Sequence, residues 1–332
     1  MRNLYLSNAP APYRMDFYRS LYRKLDCEIC FQDVQGGVPD IPVRRWDLRS
    51  LPSLVKEFRP SVVITPEFSA ATVRAVFLRN RYGCKVVPTV DDSLDMIRGN
   101  DFGWKHRLGR LVVPRLVDDL ILHSAEVRDW YGARFGKGLV LPIMADERRF
   151  RAELSRVLPL SRELRPGPEP VVAFVGRFVG LKNIPTLIQA HRLLKRRTKL
   201  VLIGDGPLRN ELEAMAPDAL FTGMLSGDER LAWYNLIDVL VLPSRQEAYG
   251  AVTGEALMAG AKVAVSRKAG SSVLVREGEN GSVVDPEDPA ALADRIEALL
   301  DGIPDGRCPE VRPNLHPFHF EPSFDALLEA LK

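Results

Sequence analysis

Short apolar runs, each followed by a helix-length stretch of mixed residues, recur along the whole chain, and this alternation restricts the fold more than any other feature. Consecutive parallel strands need a crossover, and a helix is the usual one, so the pattern predicts parallel sheets covered by helices on both faces. Strands are expected at Leu4 to Ser7, Cys27 to Phe31, Val62 to Thr65, Lys85 to Val90, Leu120 to His123 and Leu139 to Leu141. A second series follows at Val171 to Val175, Leu200 to Ile203, Leu220 to Thr222, Val239 to Leu242, Lys262 to Val265 and Ser282 to Val284. Between the two series, prolines 159, 166, 168 and 170 stand among charged residues, a composition that suits a linker. A chain of 332 residues is long for one core. The expected fold class is therefore α/β, two tandem doubly wound Rossmann-like domains facing a cleft, with ligands at the carboxyl ends of the strands. The domains are placed at residues 1–150 and 151–319, with a helix over 320–332 expected to pack back on the first.

The chain is 46% hydrophobic and 27% charged, as in water-soluble globular proteins. No run of about 18 uninterrupted apolar residues is present to cross a bilayer. The opening residues lead from a strand-like run into a loop with no cleavage signal, which argues against secretion. Four scattered cysteines describe no disulfide framework, and cytoplasmic placement is expected. Cys27 and Cys30 form a C-x-x-C, yet a strand there points residues three apart to opposite faces and speaks against a metal or redox pair. The net charge of +3 is uneven: Lys and Arg outnumber Asp and Glu 24 to 18 over residues 1–150 and trail them 22 to 25 over the rest. The basic half suits an anionic partner such as lipid headgroups or a phosphate-bearing acceptor, or is ordinary surface variation. No nucleic-acid partner is expected.

Three strand ends in the second half carry unusual residues. In Phe174 to Asn183, Gly176 permits close backbone approach, and Arg177 and Lys182 precede a helix expected to open near Asn183. Fixed cations beside free helix amides suit a diphosphate, although solvated loop residues have the same composition. Gly204-Asp205-Gly206 forms a sharp turn, with Pro207 placed at a first helical position. In Pro243 to Leu257, Glu247 falls in a loop and Glu255 about one turn inside the next helix, so the two carboxylates bracket the helix start. Amides near Gly250 to Val252 would face a phosphate while the carboxylates accept hydroxyls on either side of it. The alternative is a first-turn glutamate favoured by the helix dipole and an exposed loop glutamate.

Taken together, G-R-x4-K-N, G-D-G-P, P-S-x2-E-x7-E-A-L-x-x-G and E-x-N-G resemble the retaining glycosyltransferases of family 4 (glycosyl transferases group 1), which have the GT-B fold, over roughly residues 170 to 300. The resemblance implies that Arg177 and Lys182 contact the donor diphosphate, that Glu247 orients hydroxyls of the donor sugar and that Glu255 holds the nucleotide ribose. Gly176, Gly204, Gly206, Ala248, Tyr249, Gly250 and Ala251 would line the donor, with Thr222 and Gly223 near the base. It implies no metal and no cofactor, the nucleotide-sugar being a co-substrate. The first half resembles the family more loosely. Asn8 to Arg14 is similar to its acceptor-side opening loop but lacks the paired glycines. Asp91-Asp92 stands where many members carry a histidine. Asp91 is thus a candidate for acceptor deprotonation or for lining the acceptor pocket, with a helix cap as the plain alternative, while Arg14 and Asp92 are placed on the acceptor side. His123 is expected to pack or to face solvent.

The expected activity is hexosyl transfer with retention to a glycan or lipid-linked acceptor, in surface polysaccharide or glycolipid assembly. A sugar-nucleotide epimerase of the same fold and a non-catalytic sugar-nucleotide-binding protein are the alternatives. The pairs Asp91-Asp92 and Asp118-Asp119 raise a metal-dependent transferase, disfavoured because the second half supplies its own cations. Residues 104–113 mix basic and apolar side chains and suit peripheral contact with an anionic membrane, or an ordinary amphipathic surface helix.

Overall fold

The computed structural model describes residues 2–34, 40–98 and 103–331. Among these, thirteen strands pair in parallel into two separate sheets. The first contains β1 (Asn3–Ser7), β2 (Cys27–Phe31), β3 (Val43–Arg45), β4 (Val62–Pro66), β5 (Lys85–Val90), β6 (Ile121–Leu122) and β7 (Leu139–Val140), in the order β3-β2-β1-β4-β5-β6-β7. The second contains β8 (Val171–Val175), β9 (Lys199–Ile203), β10 (Leu220–Gly223), β11 (Val239–Leu242), β12 (Lys262–Ser266) and β13 (Gly281–Val284), in the order β10-β9-β8-β11-β12-β13. The unforeseen strand is β3, a three-residue edge pairing Val43 with Ile29. Its other two residues are arginines, so it has no apolar alternation to announce it.

The chain divides into two compact units, Met1–Ala145 with Phe320–Lys332, and Asp146–His319. In the first, period-two alternation sends Leu4 and Leu6 to one face of the sheet and Tyr5 to the other. The same alternation separates Cys30 from Cys27, which are free, buried thiols on opposite faces. The closing helix Phe320–Leu331 covers the Tyr5 face, its Phe324 ring lying 6.1 Å from Phe17 and stacked on Phe320 at 5.8 Å. Lys24 bridges this helix from outside through Glu321 and Asp325.

Residues 165–170, with Pro166, Pro168 and Pro170, are irregular, but the stretch that precedes them is not a linker. It folds into helices Glu147–Arg156 and Leu158–Leu164 within the second unit. Pro159 is accommodated because the first turn of a helix needs no N–H from it. Asp146 caps the first helix, accepting from the amides of Arg148 (2.9 Å) and Arg149 (3.3 Å). The apolar content that escaped notice is Phe150, Leu154 and Val157, all buried. Buried Asn235 then donates to the Leu154 carbonyl (2.9 Å) and to Ser161 Oγ (3.1 Å).

Phe324 is fully buried and anchors the apolar face of the closing helix. Phe324→Ala should destabilise the protein by about 3–5 kcal/mol, read as a lower urea midpoint. An unchanged midpoint would mean that this helix contributes nothing to the first unit.

Candidate functional site

In a doubly wound sheet the crevice for ligands opens where strand order reverses, because the loops leaving the two adjacent strands diverge there. In the second sheet that point lies between β8 and β11. The loop after β8 carries Arg177 and ends in a short turn, Gly180–Lys182, capped by Asn183. Asn183 adopts φ 52, is buried, and donates to the Pro286 carbonyl, so it opens the helix Ile184–Leu193 from a fixed position. The loop after β11 carries Glu247, and the two loops meet directly: the Arg245 amide donates to the Leu181 carbonyl at 2.8 Å, and Lys182 Nζ forms an ion pair with Glu247 Oε2. Glu247 is further held by its amide, which donates to Lys268 O (3.3 Å), and by its carbonyl, which accepts from Gly270 N (3.2 Å). Arg177 is exposed and forms no ion pair among the described residues.

The helix Ala251–Met258 begins at Gly250, whose φ of 91 suits a glycine and would strain any other residue. No side chain caps this helix and its first turn holds no acid, so its leading amides are open to an anion. Around it, the Tyr249 carbonyl accepts from Ser271 N at 2.7 Å, which fixes the main chain from Ala248 to Ala251. Glu255 sits in the second turn. Arg230 Nη1 reaches both its oxygens at 2.8 Å and the Tyr234 hydroxyl donates to Oε2 at 2.5 Å. Arg230 and Tyr234 were not foreseen, although they lie four apart on the helix Gly227–Leu236 that feeds β11 and so share a face. The carboxylate retains acceptor capacity beyond these three contacts.

Gly204 has a packing reason to be glycine: a Cβ there would lie 1.8 Å from the Gly176 carbonyl oxygen. The loops after β8 and β9 thus touch backbone to backbone, and the Gly204 amide donates to the Gly223 carbonyl at 2.9 Å. Gly206 closes against Phe178 in the same way. Pro207 lies in the turn and not at a first helical position, since the helix here starts at Arg209, whose amide donates to Gly206 O. Thr222 donates through Oγ1 to the Gly223 carbonyl at 3.0 Å.

The first sheet gathers different chemistry at its carboxyl edge. Asp91, just past β5, pairs with Arg14 and with His123 Nε2 at 2.7 Å. His123 is buried; it neither faces solvent nor merely packs. Its Nδ1 lies 2.8 Å from the Leu141 carbonyl, which can only accept, so Nδ1 carries a proton. Its Nε2, also 3.0 Å from Arg14 Nη2, then accepts from Arg14 in the neutral ring and donates to Asp91 in the charged one. No sequence signal other than its place at the end of a strand marked His123. Burial pushes the Asp91 carboxyl up, but Arg14 and then His123 outweigh it and hold it below the ordinary carboxylate range. Such a group is a weak proton acceptor. Arg14 and Asp92, read as acceptor-side residues, are both buried with their charges engaged. Asp92 accepts from Arg110 through both nitrogens of a fork and from the Tyr131 hydroxyl at 2.8 Å. The pair Asp118-Asp119 precedes β6 and Asp91-Asp92 follows β5, so the two pairs lie at opposite edges of a parallel sheet. Among the described residues no cluster of three His, Cys, Asp or Glu side chains could hold a metal ion.

Asp91→Asn would leave Arg14 buried without its counter-charge, at a cost of about 3 kcal/mol at neutral pH. Because the folded carboxyl lies below its unfolded value of about 3.9, the stabilisation is present above that value and is lost as pH falls through the folded one. Urea midpoints of the two proteins should therefore differ at neutral pH and converge in acid. A difference independent of pH would deny this ion pair its part.

Residues 169–302 match the family Glycosyl transferases group 1. A GDP-mannose-dependent alpha-mannosyltransferase of Corynebacterium glutamicum is 34% identical over 158 residues, which is 47% of this chain and 38% of that protein. A D-inositol 3-phosphate glycosyltransferase of Nocardia farcinica is 33% identical over 204 residues, 56% of this chain and 45% of that one. The aligned stretches thus span less than half of either relative. The crystal structure of Anabaena Alr3699/HepE in complex with UDP and glucose superposes with a TM-score of 0.76 at 16% identity, covering 100% of this chain and 99% of that one, a likeness of fold. The segment 169–302 therefore belongs to the glycosyl transferases group 1 family, and the chain that carries it has the GT-B fold.

Proposed function

We propose that this chain is a retaining glycosyltransferase, independent of metal and cofactor, that moves a sugar from a nucleotide-sugar donor to a glycan or lipid-linked acceptor in surface polysaccharide or glycolipid assembly. One observation carries the reading: Lys182 and Glu247 are brought together at the strand-order reversal of the second sheet, beside an uncapped helix start. An ion-paired lysine, an exposed arginine and free amides suit a diphosphate, and a carboxylate beside them suits sugar hydroxyls. Relatives named for GDP-mannose and a structural neighbour crystallised with UDP and glucose support a donor of this class.

In the proposed reaction the bond from the sugar anomeric carbon to the diphosphate oxygen breaks, and negative charge develops on that oxygen. Arg177, Lys182 and the amides of Ala251 and Val252 stabilise it. The acceptor hydroxyl oxygen bonds to the same face of the anomeric carbon, and its proton passes to the departing phosphate, so no protein nucleophile is needed. The Lys182–Glu247 pair serves both ends of this step. When a diphosphate takes Lys182, Glu247 is released to accept from the sugar, and Glu255, fixed by Arg230 and Tyr234, accepts from the ribose.

The lipid-linked acceptor fits the helix Trp104–Leu116, which contains no acidic residue and leaves Trp104 (70%), Leu108 (52%) and Leu111 (49%) exposed beside Arg107 and Arg115. An apolar face flanked by arginines suits the interface of an anionic membrane, with the protein peripheral on the cytoplasmic side. Among the described residues no helix is long and apolar enough to cross a bilayer.

Lys182→Ala and Arg177→Ala should each lower turnover about a hundredfold or more while the melting temperature of the Arg177 variant stays unchanged. The assay is donor hydrolysis and transfer across UDP-, GDP- and ADP-sugars, and near-normal rates in either variant would refute the assigned roles. For the membrane, Trp104→Ser with Leu108→Ser should abolish co-sedimentation with phosphatidylglycerol vesicles. Equal sedimentation of wild type and variant would refute docking through this helix.

A further inference from the structure

The strand order of the first sheet also reverses, between β1 and β4, and the described residues form a recess of about 340 Å³ there. This lies within the range of roughly 300–1,000 Å³ that small-ligand pockets occupy. Asn8, just past β1, forms one side and residues 66–69, leaving β4, form the other. Asp92 contributes from the end of β5, and the helix Trp104–Leu116 contributes His106, Gly109 and Arg110. The recess therefore occupies the position in this sheet that the Lys182–Glu247 pair occupies in the second.

Glu67 is the unusual member. Its φ of 47 places a glutamate in the left-handed region, which is uncommon for this residue type and is held here from both sides. The Glu67 amide donates to the Thr89 carbonyl at 2.9 Å and its carbonyl accepts from Thr72 Oγ1 at 2.6 Å. The backbone is thus pinned, while the carboxylate makes no hydrogen bond or ion pair among the described residues. Desolvation by the surrounding turn and repulsion from Asp91 and Asp92 push this carboxyl up to about 7. Since Glu67 itself is exposed, the repulsion is the sturdier of the two causes.

The ligand class follows from charge and shape. The arginines near the recess are already engaged, Arg110 by Asp92 and Arg14 by Asp91, so among the described residues neither arginine is free to take a phosphate. An uncommitted carboxylate beside the Asn8 amide suits hydroxyls, which donate to the one and either donate to or accept from the other. Phe68, which packs against the Tyr131 ring at 5.9 Å, gives the wall an apolar patch for the C–H face of a ring. We propose that this recess is a subsite for a neutral, hydroxyl-rich ring of the acceptor, a sugar without phosphate, with Glu67 as the acceptor of its hydroxyl hydrogen bonds. This rests on the transferase reading, in which the first unit takes the acceptor.

The test uses the full chain and a panel of neutral methyl hexosides, each paired with its 6-phosphate, with binding followed by ligand-observed NMR. Binding of UDP and GDP is measured in parallel. The neutral glycosides should bind and their phosphates should bind more weakly. Glu67→Gln should weaken the neutral glycosides at least about tenfold and leave nucleotide affinity and melting temperature unchanged. Asn8→Ala serves as a second variant and should weaken the same ligands in the same way. Absence of glycoside binding to wild type, affinity that neither variant alters, or preference for the phosphorylated member would overturn the subsite. Loss of nucleotide binding in wild type would instead overturn the transferase reading, while glycoside binding sensitive to Glu67 would still establish the subsite.

Discussion

Because every strand in each sheet runs the same way, the carboxyl ends of all strands in a sheet open on one edge, and the loops leaving that edge diverge wherever the winding reverses. Everything chemically distinctive in the chain follows from that constraint. The reversal in the second sheet spreads the loops after β8 and β11 and leaves Lys182 facing Glu247. The reversal in the first spreads the segments after β1 and β4 and leaves the recess beside Glu67. Neither place needs a specialised scaffold; each is a gap that parallel winding leaves open.

The opposite edges show what carboxylates do when they serve structure alone. Asp118 accepts from the Val86 amide at 2.7 Å, tying the start of β6 to that of β5. Asp119 accepts from Gly138 N at 2.8 Å and so fixes the approach to β7. Asp238, buried ahead of β11, accepts from Val171 N at 2.8 Å and pairs with Arg307 at 2.7 Å. In each case an acid before a strand satisfies an amide at the beginning of its neighbour, as a buried polar group requires. The position of an acid relative to its strand, before or after, therefore separates clamps from candidates for chemistry.

This also explains how much could be read from the sequence. Twelve of the strands are long enough, or apolar enough, for alternation to reveal them, and β3 is neither. The stretch 147–164 reads as a linker because Pro159 and its charged residues outnumber Phe150, Leu154 and Val157, yet those three residues decide its fate by burial. In the second unit the candidate site residues Lys182, Glu247 and Glu255 lie in local motifs with fixed spacing, so sequence alone can nominate them. Their fixing partners are less legible: Arg230 and Tyr234 act on Glu255 from another helix, across twenty-odd residues that carry no pattern linking them. The first unit was harder still. The contact of Asp91 with His123 spans 32 positions and that of Arg14 with His123 spans 109, and such pairing is set by strand order alone. Glu67 carried no signal at all, since left-handed backbone in a glutamate is invisible to residue type.

The two edges differ in how their charges are spent, and that difference bears on division of labour. At the second sheet, Arg177 is unpaired among the described residues, Lys182 holds a partner it can exchange, and a helix start presents open amides. All three favour an anion. At the first, the buried arginines are committed to Asp91 and Asp92, a side-chain fork locks Arg110 in place, and the Glu67 carboxylate makes no hydrogen bond or ion pair among the described residues. Taking Arg110 for a ligand would leave buried Asp92 without its countercharge, and taking Arg14 would strip half-buried Asp91 of its arginine, a cost that exceeds what a surface phosphate contact returns. An anion and a neutral polyol would thus be sorted to different units by desolvation, before any contact specific to either ligand is made.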